Sequence, residues 1–262
     1  MRLTTLDMQG KDTKNMETAR TIPLFVLPMG LFPQTVEPLR VFEPRYKQML
    51  DDCVLSDSPF GYVAVDPEAE ALDGWSTPSE YGVFSLAEDV NEQGTNLVFS
   101  AHGGARFRIH RVIPAALPAQ NFGDVFPTVD DLVDSYSETN PEGKLYLRAE
   151  VEEMPPLVGD IEDERWKDFV QSWAEYLVMM DALLRASSLG LEEVIGILRE
   201  EFATYSESGL WTACQSILSE HDERQFALSA LNANEVMSTL EQSINNKKIQ
   251  MDFIQSMLDP EE

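Results

Sequence analysis

Basic residues are scarce in this sequence. Nineteen lysines and arginines stand against 46 aspartates and glutamates, so the formal net charge is −27. Between Lys47 and Arg106 there is no lysine or arginine, whereas eleven carboxylates fall in the same interval. Proteins bind nucleic acid chiefly by neutralising phosphates with Lys and Arg, and anionic membranes attract basic surfaces for the same reason. The composition therefore argues against nucleic acids and membranes as partners.

Cysteine and histidine are rare as well, with two and three residues respectively. Cys53 falls on the apolar face of a predicted helix, which favours a buried thiol over a disulfide or a metal ligand. His102 and His110 are eight residues apart on one predicted strand, so roughly 27 Å separates them at the rise of a strand. A zinc site needs about four converging ligands. We therefore expect neither a metal site nor a cofactor.

Long hydrophobic runs are missing as well. No segment approaches the roughly 20 apolar residues that a membrane-spanning helix requires. The apolar stretch 22–32 contains two prolines and follows a lead of mixed charge. It is not followed by the small-residue cleavage site of a signal peptide. We expect a cytoplasmic protein.

Prolines divide the segment before residue 44 into short pieces. Pro23, Pro28, Pro33 and Pro38 lack the N–H that a helix or a central strand uses, which predicts short edge-type strands. From Pro44 the period changes to that of a helix, with Pro44 suited to its first turn. The apolar residues of its one face are Tyr46, Met49, Leu50, Cys53 and Val54.

The rest of the chain divides into a strand-rich and a helix-rich part. Short apolar or alternating runs predict strands near residues 60–65, 81–86, 96–100, 106–111 and 149–153. After residue 163 apolar residues recur at the helical period, with Ser208 as a candidate cap of one helix. We predict a leader (1–20), a β-barrel subdomain (21–157) and a helical subdomain (158–262). The fold class is α+β, a partly open barrel with one early helix followed by a helical bundle.

Several motifs resemble the N-terminal domain of ATP-dependent Lon proteases, which also occurs as free-standing proteins. They are P-L-F-V-L-P, L-F-P and P-L-R-V-F-E-P-R-Y near the start, and G-G-A-R-F-R-I at 103–109. Residues 211–231 resemble the end of that domain, with Arg224-Gln225 in place of Lys-Gln, although the Arg-Leu that usually follows is missing. The resemblance implies a PUA-like barrel, a helical half, and recognition of unfolded or extended protein segments. A protease or a chaperone is a further partner class that it implies.

Catalytic motifs are not found. Lon proteases need a Walker loop and a Ser-Lys dyad, but the two Gly-Lys pairs here are followed by Asp12 and Leu145 instead of Ser or Thr. No setting for a catalytic serine occurs either. We therefore expect a non-enzymatic binding module. The alternative is a PUA-like module for a small ligand, with RNA less favoured because of the missing cations.

Five residues are candidates for peptide binding: Glu43, Arg45, Tyr46, Arg106 and Phe107. The two arginines are among few cations in the barrel half. They could pair with carboxylates such as Glu43 inside the structure, because the guanidinium fork suits such pairing. They could instead hold the backbone carbonyls or carboxylate of a peptide in a groove. The pair Gly103-Gly104 indicates either a β-bulge or the close approach of a ligand.

Overall fold

The structure is a computed structural model and describes residues 20–123, 127–184 and 190–258. Apart from Arg20, the predicted leader lies outside the described residues. The strands are β1 (Arg20–Leu27), β2 (Val36–Val41), β3 (Phe60–Val65), β4 (Pro78–Gln93), β5 (Asn96–Ile113) and β6 (Arg148–Glu153). The helices are α1 (Pro44–Ser56), α2 (Val129–Asp134), α3 (Asp163–Leu184), α4 (Leu191–Glu201), α5 (Glu207–Ile217), α6 (His221–Ser229) and α7 (Ala233–Leu258). Within the described part of the chain, no helix is both long and apolar enough to cross a membrane.

The six strands form one strongly curved sheet in the order β2-β5-β4-β3-β1-β6. All pairs are antiparallel except β1 with β3. The long strand β5 pairs with β2 along its first part and with β6 along its last part. The pairing of β5 with β6 curls the sheet back on itself, whereas β2 pairs with β5 alone and stays at an edge. This confirms the predicted α+β class, a partly open barrel with an early helix and later helices.

The proline-rich opening is less exposed than the sequence predicts. The expectation of an edge-type strand is wrong for β1, which has partners on both sides. Residues 20–23 pair with β6, and residues 24–27 pair with β3. Pro23 lies where the first partner ends and before the second begins, so its missing N–H falls at the change of partner. Strand β2, which contains Pro38, pairs with β5 alone and is an edge strand as predicted.

Helix α1 begins at Pro44, as the change of period predicts. Its buried face packs against the barrel, and Cys53 is a buried thiol whose pKa burial raises to about 12. Val54, which the sequence assigns to the same face, is instead 54% exposed. Eight residues after Tyr46 it has rotated by about 80° from that side chain, which takes it to the border of the apolar face. The helix ends at Ser56 and is capped by Asp57, whose left-handed backbone (φ 49°) closes its last turn.

The later helices pack on one another and on the barrel. Helix α5 is capped by Ser206, whose Oγ accepts a hydrogen bond from the N–H of Gly209 at 3.0 Å. The predicted cap, Ser208, is wrong, because the extended backbone of a cap occurs at Ser206 and Ser208 already lies in the first turn. Helices α3 and α7 are joined by ion pairs of Arg165 with Glu241 (2.7 Å) and Lys248 with Glu175 (2.6 Å).

One hydrophobic core extends across the barrel and the helices. It joins barrel residues such as Phe25 and Phe60 to Trp166 and Trp211 of the helices. Phe32, from the L-F-P motif, stacks on Trp211 with ring centroids 5.7 Å apart. A second, smaller core fills the other end of the barrel. The division at residue 157 stays a prediction, since the two parts share so much buried surface.

Candidate functional site

Arg106 is on β5, at the contact between the barrel and the helices α5 and α6, which we term the seam. It is buried there, with 4% of its surface exposed. Its Nη1 donates hydrogen bonds to the backbone oxygens of Leu228 (2.9 Å) and Ala230 (2.5 Å), and its Nη2 donates to that of Pro155 (2.6 Å). The guanidinium also lies 5.5 Å from the ring of Trp211. Burial lowers the pKa of Arg106 from its usual value. Arg106 thus holds carbonyls of this chain, in the way that a peptide-binding arginine would hold those of a partner.

Arg224 and Gln225, on α6, form hydrogen bonds across the same seam. Arg224 donates from Nη1 to the oxygen of Leu218 (2.7 Å) and from Nη2 to that of Gly30 (2.6 Å), and burial lowers its pKa to about 10. The amide of Gln225 accepts from the N–H of Tyr81 (3.0 Å) and donates to its carbonyl (3.1 Å). These bonds tie α6 to β4 and to the segment after β1.

The paired glycines of β5 serve the chain's own backbone. Val83 pairs with Arg106 and Ser85 with Gly103, so two residues of β5 oppose Phe84 alone and form a bulge. A Cβ at Gly103 would lie 2.2 Å from the backbone oxygen of Phe32. The predicted bulge is confirmed, and the group that approaches Gly103 is the segment between β1 and β2.

Arg45 lies at the start of α1, in different surroundings from Arg106. Its Nε donates to Glu43 Oε2 (2.7 Å), and its guanidinium lies 4.1 Å from the ring centroids of both Tyr46 and Trp75. Tyr46 is buried and donates to the backbone oxygen of Val26 (2.8 Å), and burial raises its pKa. The pairing of Arg45 with Glu43 is the structural alternative that the sequence left open.

The five sequence candidates do not form one site. Arg45 packs against Trp75, whereas Arg106 contacts α5 and α6. Tyr46 and Arg106 are buried, and Phe107 is completely buried in the smaller core, so these three offer almost no surface to a partner. Glu43 and Arg45 keep partial exposure, at 24% and 13% of their side chains. Their role in peptide binding stays a prediction.

A cavity of about 320 Å³ marks the cleft between the barrel and the helices. Its walls include Gln34, Gly104, Glu153 and Pro155, with Arg106 at one side. Arg106 already bonds three carbonyls of the chain, and Glu207 accepts a hydrogen bond from Trp211 Nε1 at 3.1 Å. Arg106 and Glu207, two of the charged groups in this cleft, therefore already form hydrogen bonds within the chain.

A second recess, which we term the α1–hairpin groove, lies between α1 and the β4–β5 hairpin and has a volume of about 370 Å³. Its residues are Leu50, Asp51, Val54, Leu55, Val90, Asn91, Glu92 and Leu97. Leu50 is buried and forms the floor, whereas Leu55 is 87% exposed and Val54 54% exposed. Large apolar side chains at such exposure, gathered round one recess, are typical of an interaction surface.

Local structure explains why the hairpin meets α1 here. The pairing of β4 with β5 shifts between Glu88 and Asn91, where Asp89 has a positive φ of 53°. Such a bulge changes the direction of the strand, and it places Val90 in the wall of the groove. At the hairpin tip, Lys47 Nζ donates to the backbone oxygen of Thr95 at 2.5 Å. This bond fixes the hairpin against the helix.

Carboxylates on the rim give the groove a negative charge. Burial, together with Asp52 and Glu92, raises the pKa of Asp51. Asp52 has its own partners, Lys144 Nζ at 2.8 Å and the hydroxyl of Tyr146 at 2.7 Å. Among the described residues, by contrast, neither Asp51 nor Glu92 forms a salt bridge. The groove thus combines apolar walls with uncompensated negative charge.

Sequence reasoning missed this groove, although two signals were present. Val54 and Leu55 widen the apolar face of α1 beyond what a core contact requires, and Val90 is an apolar residue in an acidic hairpin. Neither signal shows by itself that the two stretches meet.

The described part of the chain contains no cluster of side chains that could bind a metal ion. No three His, Cys, Asp or Glu side chains there are placed to share a metal ion. His102 and His110 lie near Glu88 (3.5 Å) and Glu152 (3.0 Å) respectively. The expectation of no metal and no cofactor stays a prediction.

Comparison with known proteins gives a consistent result. The family model of the ATP-dependent protease La (LON) substrate-binding domain matches residues 21–261. The structure of a Lon N-terminal domain protein from Xanthomonas campestris is similar, with 20% identity, a TM-score of 0.54, and coverage of 85% of this chain and 98% of that one. The N-terminal domain of Mycobacterium avium complex Lon protease has 16% identity, a TM-score of 0.52, and coverage of 87% and 99%. No curated protein matches the chain. At these identities the two structures show the fold alone.

Proposed function

The chain belongs to the family of Lon substrate-binding domains, and we propose that it recognises extended, apolar segments of unfolded proteins in the α1–hairpin groove. We propose further that it does so without catalysis, as a binding module that presents such segments to a protease or a chaperone. The family is described as a substrate-binding domain. The residues and the mode of contact are our proposal.

The observation that carries this proposal is the exposed apolar surface of the groove. Leu55 and Val54 lie open on one wall, Val90 (36% exposed) lies on the other, and Leu50 closes the floor. The protein otherwise has a strongly acidic composition, with 46 acidic residues. An unfolded segment exposes side chains that a folded protein buries, and covering apolar area contributes about 25 cal/mol per Å².

The size of the groove supports weak and tolerant binding. A recess of about 370 Å³ accommodates a few side chains of an extended segment at a time. Eight residues line the groove, far fewer than the roughly 20–30 residues per partner of a stable complex, so we expect dissociation constants in the micromolar range or weaker. Rapid release suits a module that must accept many different segments.

The proposal is tested by capture of an unfolded model protein. The wild-type protein and the double variant Val54→Ser/Leu55→Ser are compared for binding to a fluorescently labelled, permanently unfolded chain. We expect the double variant to bind roughly tenfold more weakly, because it loses the most exposed apolar groups of the groove. Both substituted side chains are exposed. Serine matches valine in helix propensity and is only a few tenths of a kcal/mol poorer than leucine, so the melting temperature should fall only slightly.

The matched control is Ile249→Ser/Phe253→Ser on the far part of α7. These side chains are 68% and 62% exposed, so the control removes a similar amount of exposed apolar surface. Capture that is reduced equally by both double variants would show general stickiness and contradict the groove. Tight binding of RNA or of a small metabolite, unaffected by the groove variant, would favour the PUA-like alternative.

A further inference from the structure

We propose that the α1–hairpin groove selects protein segments in which apolar residues are flanked by lysine or arginine. This inference rests on the proposed function and assigns the chemistry of its substrate. The apolar walls would cover the central side chains of the segment, and the carboxylates of the rim would pair with its basic flanks.

The rim charges lie beside the apolar walls. Asp51 is on α1 next to Leu50, and Glu92 is on the hairpin two residues after Val90. They belong to opposite walls, so an extended segment lying between α1 and the hairpin would meet a carboxylate on either side. Their charges act on each other as well, because Glu92 contributes to the raised pKa of Asp51.

The chain itself supplies little to neutralise these carboxylates. Lys47, one turn before Asp51, directs its amine to the backbone oxygen of Thr95, and Lys144 is paired with Asp52. The sequence has no lysine or arginine between Lys47 and Arg106. A cation on a bound segment would therefore meet carboxylates that are not already paired, and it would relieve their mutual repulsion.

Charge complementarity also distinguishes this groove from a recess with apolar walls between α3 and α4. That recess is lined by Leu177, Val178, Val194, Ile197 and Leu198, with Asp181 as its single charged residue. Among the described residues that line it, none places a second carboxylate on the opposite wall. Of these two recesses, the α1–hairpin groove is the better match to a segment that is both apolar and basic.

The test uses three fluorescein-labelled peptides with one apolar core, Leu-Val-Phe-Leu, flanked on each side by two lysines, two serines or two glutamates. Dissociation constants are measured by fluorescence anisotropy at low and at moderate NaCl. We expect the lysine-flanked peptide to bind the wild-type protein roughly three- to tenfold more tightly than the serine-flanked one, and the glutamate-flanked one most weakly. The preference should shrink as salt rises, because these charges face solvent.

The variant Asp51→Asn/Glu92→Gln tests whether the preference for lysine flanks comes from the two rim carboxylates or from the net negative charge of the whole protein. It should remove most of the preference for lysine flanks while leaving binding of the serine-flanked peptide nearly unchanged. The control Glu200→Gln/Glu201→Gln, at the exposed end of α4, removes the same charge and should keep the preference. An equal loss in both variants would overturn the inference, since attraction by the whole acidic surface would then explain it.

The serine-flanked peptide keeps the inference distinct from the proposed function. If that peptide binds, and Val54→Ser/Leu55→Ser weakens it, while all three peptides bind equally well, the groove binds apolar segments and the charge preference is refuted. If the groove variant leaves binding of the serine-flanked peptide unchanged, the proposed function itself fails, and the inference fails with it.

Discussion

The seam between barrel and helices and the α1–hairpin groove use charge in opposite ways. In the seam, cations are buried, and Arg106 and Arg224 donate to backbone carbonyls of distant segments. In the groove, anions are exposed beside apolar side chains and lack a salt-bridge partner in the described part of the chain. Two of the scarce cations of this acidic chain thus bind the barrel to the helices. The surplus carboxylates and the unburied apolar groups remain available to a partner.

The comparison also explains why a rare cation is a poor indicator of a binding site. Removing an arginine from water is costly, and the cost is offset only when its donors are satisfied. Arg106 meets this condition with three carbonyls of its own chain. An arginine that binds a ligand would, in the unbound protein, have N–H groups that are accessible and not bonded to the chain itself. In the seam, the Nη donors of Arg106 and Arg224 are already bonded to this chain, and only Arg224 Nε is buried without a partner among the described residues.

The largest effect that we expect comes from Arg106→Ala. The substitution leaves the carbonyls of Leu228, Ala230 and Pro155 without their donor, and an unsatisfied buried acceptor costs about 1–3 kcal/mol. We expect a loss of roughly 3 kcal/mol or more, which lowers the melting temperature by about 10 °C in a chain of this size. Thermal unfolding followed by circular dichroism measures it.

The control for this prediction is Arg108→Ala, two residues further along β5. Arg108 pairs with Glu80, and both side chains are 50% exposed, so its removal should change the melting temperature only slightly. If Arg106→Ala leaves the melting temperature unchanged but weakens capture of an unfolded protein, the seam is a binding site after all.

A smaller effect distinguishes two neighbouring carboxylates of α1. Asp52→Asn weakens the contacts with Lys144 and Tyr146, so we expect a loss of about 1 kcal/mol. Asp51→Asn should instead raise the melting temperature slightly, because it removes a charge that burial and two neighbouring carboxylates disfavour. Thermal unfolding of both variants at neutral pH and low salt makes the comparison.

The effect of Asp51→Asn should depend on pH. The folded-state pKa of Asp51 is raised above the unfolded value, so the charged form opposes folding at neutral pH. This penalty disappears as pH falls through the raised pKa and is absent below the unfolded value, where both states are protonated. The stability difference between Asp51→Asn and the wild type should therefore vanish in acid. A difference that grew in acid would contradict the assignment.

The sequence predicts those features that depend on neighbouring residues. Pro44 and the following apolar spacing predict the start of α1, the run 60–65 coincides with β3, and Gly103-Gly104 marks the bulge. Each of these signals lies within a few residues of the structure that it specifies. Steric restriction and side-chain period act locally, so they can be read from a single sequence.

The role of Arg106 could not be predicted in the same way. Its acceptors are backbone carbonyls 49 to 124 residues away, and a carbonyl has no identity in the sequence. The groove depends likewise on the contact of α1 with a hairpin some forty residues later, and on a bulge at Asp89 that turns Val90 towards the helix. The change of partner at Pro23 also becomes visible only when β3 and β6 are in place.

The measurement that tests the central claim most directly is amide hydrogen–deuterium exchange, followed by mass spectrometry, with and without a permanently unfolded protein at saturating concentration. Binding in the groove should slow exchange in residues 51–56 of α1 and in the hairpin residues 88–98. It should leave exchange unchanged in the segments 104–106 and 153–156 of the cleft. Protection of those cleft segments with no change at α1 and the hairpin would contradict binding in the groove. It would show that the unfolded protein binds at the seam between barrel and helices.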